Sequence, residues 1–164
     1  MYNPNIRAQL LRGLLTSTDD SGSQQLMSLT GLDGQSFGET VRSQHFGLTS
    51  VPPADAEALM LVIGGGNDRV HALGVEHPKY RPTNLPEGAS RQYDKDGNYC
   101  DIRGDTMTLN HAKKIVLQVG SCTLTIDSDG FHFAGGKIDH DGHKVDKTHV
   151  HTNAGGSGNS GPPP

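Results

Sequence analysis

Past residue 105 the apolar side chains of this chain fall on every second position, in runs too short for any of them to close a core alone. Met107 and Leu109 alternate with Thr106, Thr108 and Asn110; Ile115, Leu117 and Val119 alternate with Val116 and Gln118. Cys122, Leu124 and Ile126 alternate with Thr123 and Thr125, and Phe131 and Phe133 flank His132. Two is the repeat of a β-strand, so each run carries one apolar and one polar stripe. Asp96-Gly97, Gly120-Ser121, Asp129-Gly130 and Gly135-Gly136 break the runs roughly every ten residues. Strands so short and narrow do not build a monomeric sandwich. Three chains wound about one axis would merge the stripes into a common core and leave no free sheet edge. The pattern therefore predicts a trimeric, intertwined β-helix or β-prism over residues 96–145, with a monomeric barrel extension as the alternative.

Composition points the same way. A hydrophobic fraction of 32%, with 5% aromatics and no Trp, leaves a single chain short of the burial needed to offset its ordering entropy. The 22 glycines follow no Gly-X-Y period, which excludes collagen and leaves frequent tight turns as their use. A net charge of −4 without a Lys/Arg run lacks the footprint of a nucleic-acid binder, so no nucleic-acid partner is expected. Cys100 and Cys122 form neither a Cys-x-x-Cys pair nor a zinc-ribbon spacing, and both are expected to be reduced thiols. The sequence shows neither a signal peptide nor an apolar stretch long enough to span a membrane.

The first half has a different texture. Ile6, Leu10, Leu11, Leu14 and Leu15 lie at near-helical spacing behind Asn3-Pro4, which predicts a short helix or a helix-to-strand lead-in over residues 1–18. Five apolar segments follow: Gly13–Thr18, Gln25–Leu32, Glu39–Leu48, Ala56–Gly64 and Arg69–Glu76. Turn chemistry at Asp33-Gly34, Pro52-Pro53 and Gly64-Gly65-Gly66 separates them. Five short strands without a helix suit an OB-fold barrel, expected over residues 19–80. The three prolines of His77–Gly88 mark a linker, taken as residues 81–95. Residues 146–164 are expected to form an apex and a polar tail.

That last segment contains His149-Val150-His151. In a strand the two imidazoles share one side of the backbone. Two imidazoles make a poor site alone, but three chains on a threefold axis would present six nitrogens in a roughly octahedral shell, suited to a first-row metal such as iron.

The order of these blocks resembles the baseplate spike of contractile-tailed phages, the baseplate assembly protein V family, in its Mu-like branch. The resemblance rests on Phe46-Gly47-Leu48-Thr49-Ser50-Val51-Pro52-Pro53 with Ala54–Gly66 and Asn67-Asp68-Arg69-Val70-His71; on Leu85-Pro86-Glu87-Gly88 followed by Tyr93-Asp94-Lys95-Asp96-Gly97; and on His149-Val150-His151. It implies an all-β chain in which an OB-fold collar carries a trimeric β-helix whose tip holds one iron ion through His149 and His151 of each chain. It further implies a spike that pierces the outer membrane of a Gram-negative host, located in the virion baseplate and plugged onto the tail hub through its N-terminal part. Additional ions on the axis stay open.

Other chemistry is weaker. Asp139-His140-Asp141-Gly142-His143 reads as a turn with solvated side chains, since the distal ligands of a calcium loop are missing. Asp94, Asp96 and Asp101 lie beside turns, where Asp is expected for local hydrogen bonding. The serines lack a Gly-x-Ser-x-Gly context, and His45, His71, His77 and His111 read as surface or packing residues. No enzymatic activity is expected. The rival readings are a receptor-binding trimeric fibre tip, a metal-dependent hydrolase and a nucleic-acid-binding OB module.

Overall fold

The computed structural model describes residues 8–31, 33–64, 69–145 and 149–150, all as strands, turns and loops without a helix. Two compact units divide the chain: one runs up to Glu87 and includes Tyr93–Asp96, and the other comprises Gly88–Gln92 and everything from Gly97 onward.

The first unit is a closed five-stranded barrel of β1 (Ala8–Asp19), β2 (Leu26–Gly31), β3 (Ser36–Arg42), β4 (Glu57–Ile63) and β5 (Val70–Glu76). Its strand order is β1-β2-β3-β5-β4, all neighbours being antiparallel except β3 and β5. This is the OB-type barrel expected from the sequence. Alternation points Leu15, Met27, Leu29, Phe37, Met60 and Val62 inward, where they are almost wholly buried.

The lead-in reading needs correction. From Ala8 the chain is already strand, pairing with β4 along Ala8–Leu14 and with β2 from Gly13. The spacing of Leu10, Leu11, Leu14 and Leu15 matches a helix, yet a strand with leucines on both faces yields the same list. Leu11, Gly13 and Leu15 face the core while Leu10 and Leu14 stay exposed. Two flanking ladders outweigh the modest helix preference of leucine. The barrel accordingly begins near residue 8, and residues 1–7 lie outside the described part.

The second unit holds three small antiparallel sheets. The first consists of β6 (Ser90–Tyr93), β7 (Tyr99–Arg103) and β8 (Thr106–Asn110); β6 falls inside the stretch read as linker. The second consists of β9 (Ile115–Val119), β10 (Cys122–Asp127) and β11 (Gly130–Ala134), with β10 in the middle. The third is a hairpin of β12 (Asp139–His140) and β13 (His143–Lys144). Among the described residues, every buried apolar side chain belongs to the barrel, and Asp101 is the one buried side chain of the second unit. A two-stranded hairpin by itself is marginally stable at best in water, and the small sheets bury no apolar face of their own.

Candidate metal centre and assembly faces

The registers of β9–β11 sort their side chains without ambiguity, because directly paired residues share a face. Leu117, Leu124 and Phe133 form one row across the sheet, Ile115, Ile126 and Phe131 form another, and Val119 pairs with Cys122. The opposite face carries Val116-Thr125-His132 and Gln118-Thr123-Ala134. On the apolar face Val119 is 84% exposed and Phe131 70%. The first sheet repeats the division: Cys100-Leu109 and Ile102-Met107 make an apolar face, and Tyr99-Asn110, Asp101-Thr108 and Arg103-Thr106 a polar one. Each of the two sheets thus leaves one apolar face largely exposed.

The polar face of the first sheet contains a feature that the sequence hid. Asp101 Oδ2 accepts from Arg91 Nη2 at 2.6 Å and lies 3.1 Å from Arg103 Nη2, while the Arg91 guanidinium stacks over the Tyr99 ring at 4.0 Å. The Arg91 hydrogen bond holds the Asp101 carboxyl below its ordinary range despite burial, and Asp101 in turn raises Arg91. Asp101 is thus a mid-strand ion-pair residue and not a turn former, because β7 starts at Tyr99 directly after the Asp94-Asp96 turn. In that turn the Asp96 N–H donates to Asp94 Oδ1 at 2.9 Å, as expected of a turn aspartate.

On β10–β11, His132 Nε2 lies 3.0 Å from Asp127 Oδ1. The Asp129 N–H and His132 together hold the Asp127 carboxyl below its ordinary range. Both cysteines are free, Cys100 half-buried and Cys122 exposed.

On the barrel, Leu10 and Leu14 of β1 and Leu59 of β4 stand exposed on the outer wall beside the Arg12–Glu57 ion pair. The connection from β3 to β4 is pinned: the Arg42 guanidinium donates to Gln25 Oε1 at 2.9 Å and to both oxygens of Ser50, and Gln25 Nε2 donates to Ser50 O at 3.1 Å. Burial lowers the Arg42 pKa. The pinned loop projects Phe46 fully into solvent. A groove of about 430 Å³ opens beside β3 and β5, with Glu39, Arg69 and His71 in its lining.

Of the two expected iron ligands, His149 is described and partly buried, and His151 lies outside the described residues. Among the described residues no group of three or more His, Cys, Asp or Glu side chains could hold a metal ion. No helix of the described chain is long and apolar enough to cross a membrane.

Residues 12–79, the barrel almost to its ends, match the sequence family described as Bacteriophage Mu Gp45, N-terminal. The barrel thus matches the N-terminal part of the Mu Gp45 family. The chain is 29% identical to the "Baseplate puncturing device gp45" of Escherichia phage Mu over 130 residues, covering 79% of this chain and 66% of that protein. It is also 25% identical to the "Mu-like prophage FluMu protein gp45" of Haemophilus influenzae over 129 residues, covering 76% of this chain and 70% of that protein. The chain thus spans about two thirds of the length of its phage Mu relative. Alignments of this length run past the end of the barrel, so the likeness to the Gp45 proteins reaches into the small sheets.

Proposed function

We propose that this chain is the central spike of a contractile phage or phage-like tail, seated in the virion baseplate and driven through the outer membrane of a Gram-negative host when the sheath contracts. One observation carries the reading: a barrel with a complete core is followed by sheets that bury no apolar side chain of their own. The likeness to a protein named as a baseplate puncturing device supports the same role. A piercing element has to resist buckling and fraying, and braided chains whose backbone bonds are shared between neighbours meet that need.

On this reading the assembly is a homotrimer in which the apolar faces of β7–β8 and β9–β11 meet those of sibling chains in a triple-stranded β-helix. The exposed outer wall of β1 and β4 suits the contact with the tail hub. His149 and His151 of each chain hold the tip together. Their chemistry fits iron: six neutral imidazoles give an all-nitrogen octahedral set, favoured by a first-row divalent ion and not by calcium. The ion supplies only a structural tie between three ends; its affinity follows the deprotonation of the imidazoles. The role is mechanical, without catalysis.

Light scattering and elemental analysis on one purified sample test this reading. About 52 kDa, three times the 17.4 kDa chain, with near one-third iron per chain is the expected result. A well-folded species at the single-chain mass would overturn it.

A further inference from the structure

Four histidines among the described residues place a ring nitrogen against their own surroundings. His71 Nδ1 lies 3.3 Å from Ser43 Oγ, His77 Nε2 is 3.2 Å from Ala54 O, His111 Nδ1 accepts from the Lys113 and Lys114 N–H groups, and His132 faces Asp127. His140 and His143 differ. Both are exposed, and neither ring makes a hydrogen bond to the described residues; the nearest charged atom, Asp141 Oδ2, is 3.7 Å from His140 Nδ1.

The backbone places these two rings together. His140 and His143 are directly paired partners in the β12–β13 hairpin, followed by the Asp139-Lys144 pair. The connection between them is Asp141-Gly142, with φ of 51° and 78°. Two successive residues of positive φ make the tight I′ hairpin turn, whose twist locks the register. The Val145 N–H closes the open end on Ile138 O at 2.9 Å. Residues paired in this way set their Cβ atoms about 4.5–5.5 Å apart on one face, a span that two imidazoles close around an ion at about 2.0–2.1 Å from each nitrogen. Asp141, whose Oδ2 lies 3.7 Å from His140 Nδ1, adds local negative charge that favours a cation.

We propose that His140 and His143 form a second transition-metal site, bidentate and contained within a single chain, that takes a divalent ion of the nickel, copper or zinc type with water completing its shell. Two nitrogen donors exclude calcium and magnesium as its natural ligands. Because both ligands come from one chain, its stoichiometry is one ion per chain, distinct from a single ion shared by three.

The test uses the full, untagged chain carrying His149→Ala and His151→Ala, stripped of metal and titrated calorimetrically with nickel(II). About one equivalent per chain is expected. Adding His143→Gln to that background abolishes the binding heat, whereas adding His45→Gln, a change at an exposed histidine outside the hairpin, leaves it intact. Nickel binding that is absent from the apex variant, or that survives His143→Gln unchanged, overturns the proposal. Since the titration is done without the apex histidines, failure of the shared iron site leaves the result interpretable. The same His143→Gln change in the otherwise natural chain should remove one nickel equivalent per chain.

Discussion

Asp101 is the residue whose surroundings carry the sharpest consequence. Its carboxyl is held below the ordinary value of 3.8, chiefly by the Arg91 hydrogen bond. A depressed carboxylate contributes stability that is fully present above the unfolded pKa and disappears as pH falls through the folded one. The β6–β8 sheet should therefore be insensitive to pH near neutrality and loosen only below about pH 3.8, which hydrogen exchange at Ser90–Arg103 would show. Asp101→Asn should remove this acid dependence and lower the melting temperature at pH 7, because two guanidinium groups lose their counter-charge. An unchanged acid transition in Asp101→Asn would assign it to another carboxylate. In the barrel, Phe37 is 2% exposed, so Phe37→Ala should cost about 3–5 kcal/mol in chemical denaturation of the barrel transition.

At the level of elements, turn geometry determines what survives substitution. Gly135 closes β11 with φ of 71°, and a Cβ there would run into Ser121 O. Gly135→Ala should destabilise the β9–β11 sheet by more than the roughly 1–2 kcal/mol that a left-handed L-residue alone costs. Gly97→Ala, at φ of 86° but with open space around its missing Cβ, should cost only that backbone share, and comparing the two melting curves separates strain from collision. The elements also show which signals could be read directly. Period-two alternation located β8 to β11, and glycine and proline breaks bounded β2, β4 and β5 to within a few residues. β6 escaped because Ser90–Tyr93 is mostly polar, and the Arg91–Asp101 ion pair that joins it to β7 links residues that sequence spacing alone does not connect.

For the whole molecule, the exposed apolar rows of β9–β11 predict the behaviour of a variant that removes them. Leu117→Ser with Phe133→Ser should leave the barrel folded, since none of its buried side chains comes from the second unit, and should shift the solution mass from about 52 kDa toward the 17.4 kDa chain. A retained trimer in that variant would mean that the barrel walls hold the chains together. His149→Ala with His151→Ala should remove bound iron and loosen the tip without unfolding the barrel, measured by elemental analysis and thermal melting on one preparation.

From the sequence alone came the all-β class, the barrel followed by short amphipathic strands, and the histidine pair near the end, because alternation, turn residues and donor chemistry are local properties. The strand identity of residues 8–15, the burial of Asp101 under Arg91 and the facing of His140 and His143 were decided by tertiary structure alone. Each depends on which strand lies beside which, and a leucine list or an Asp-Gly pair is compatible with several neighbours until the ladders choose one.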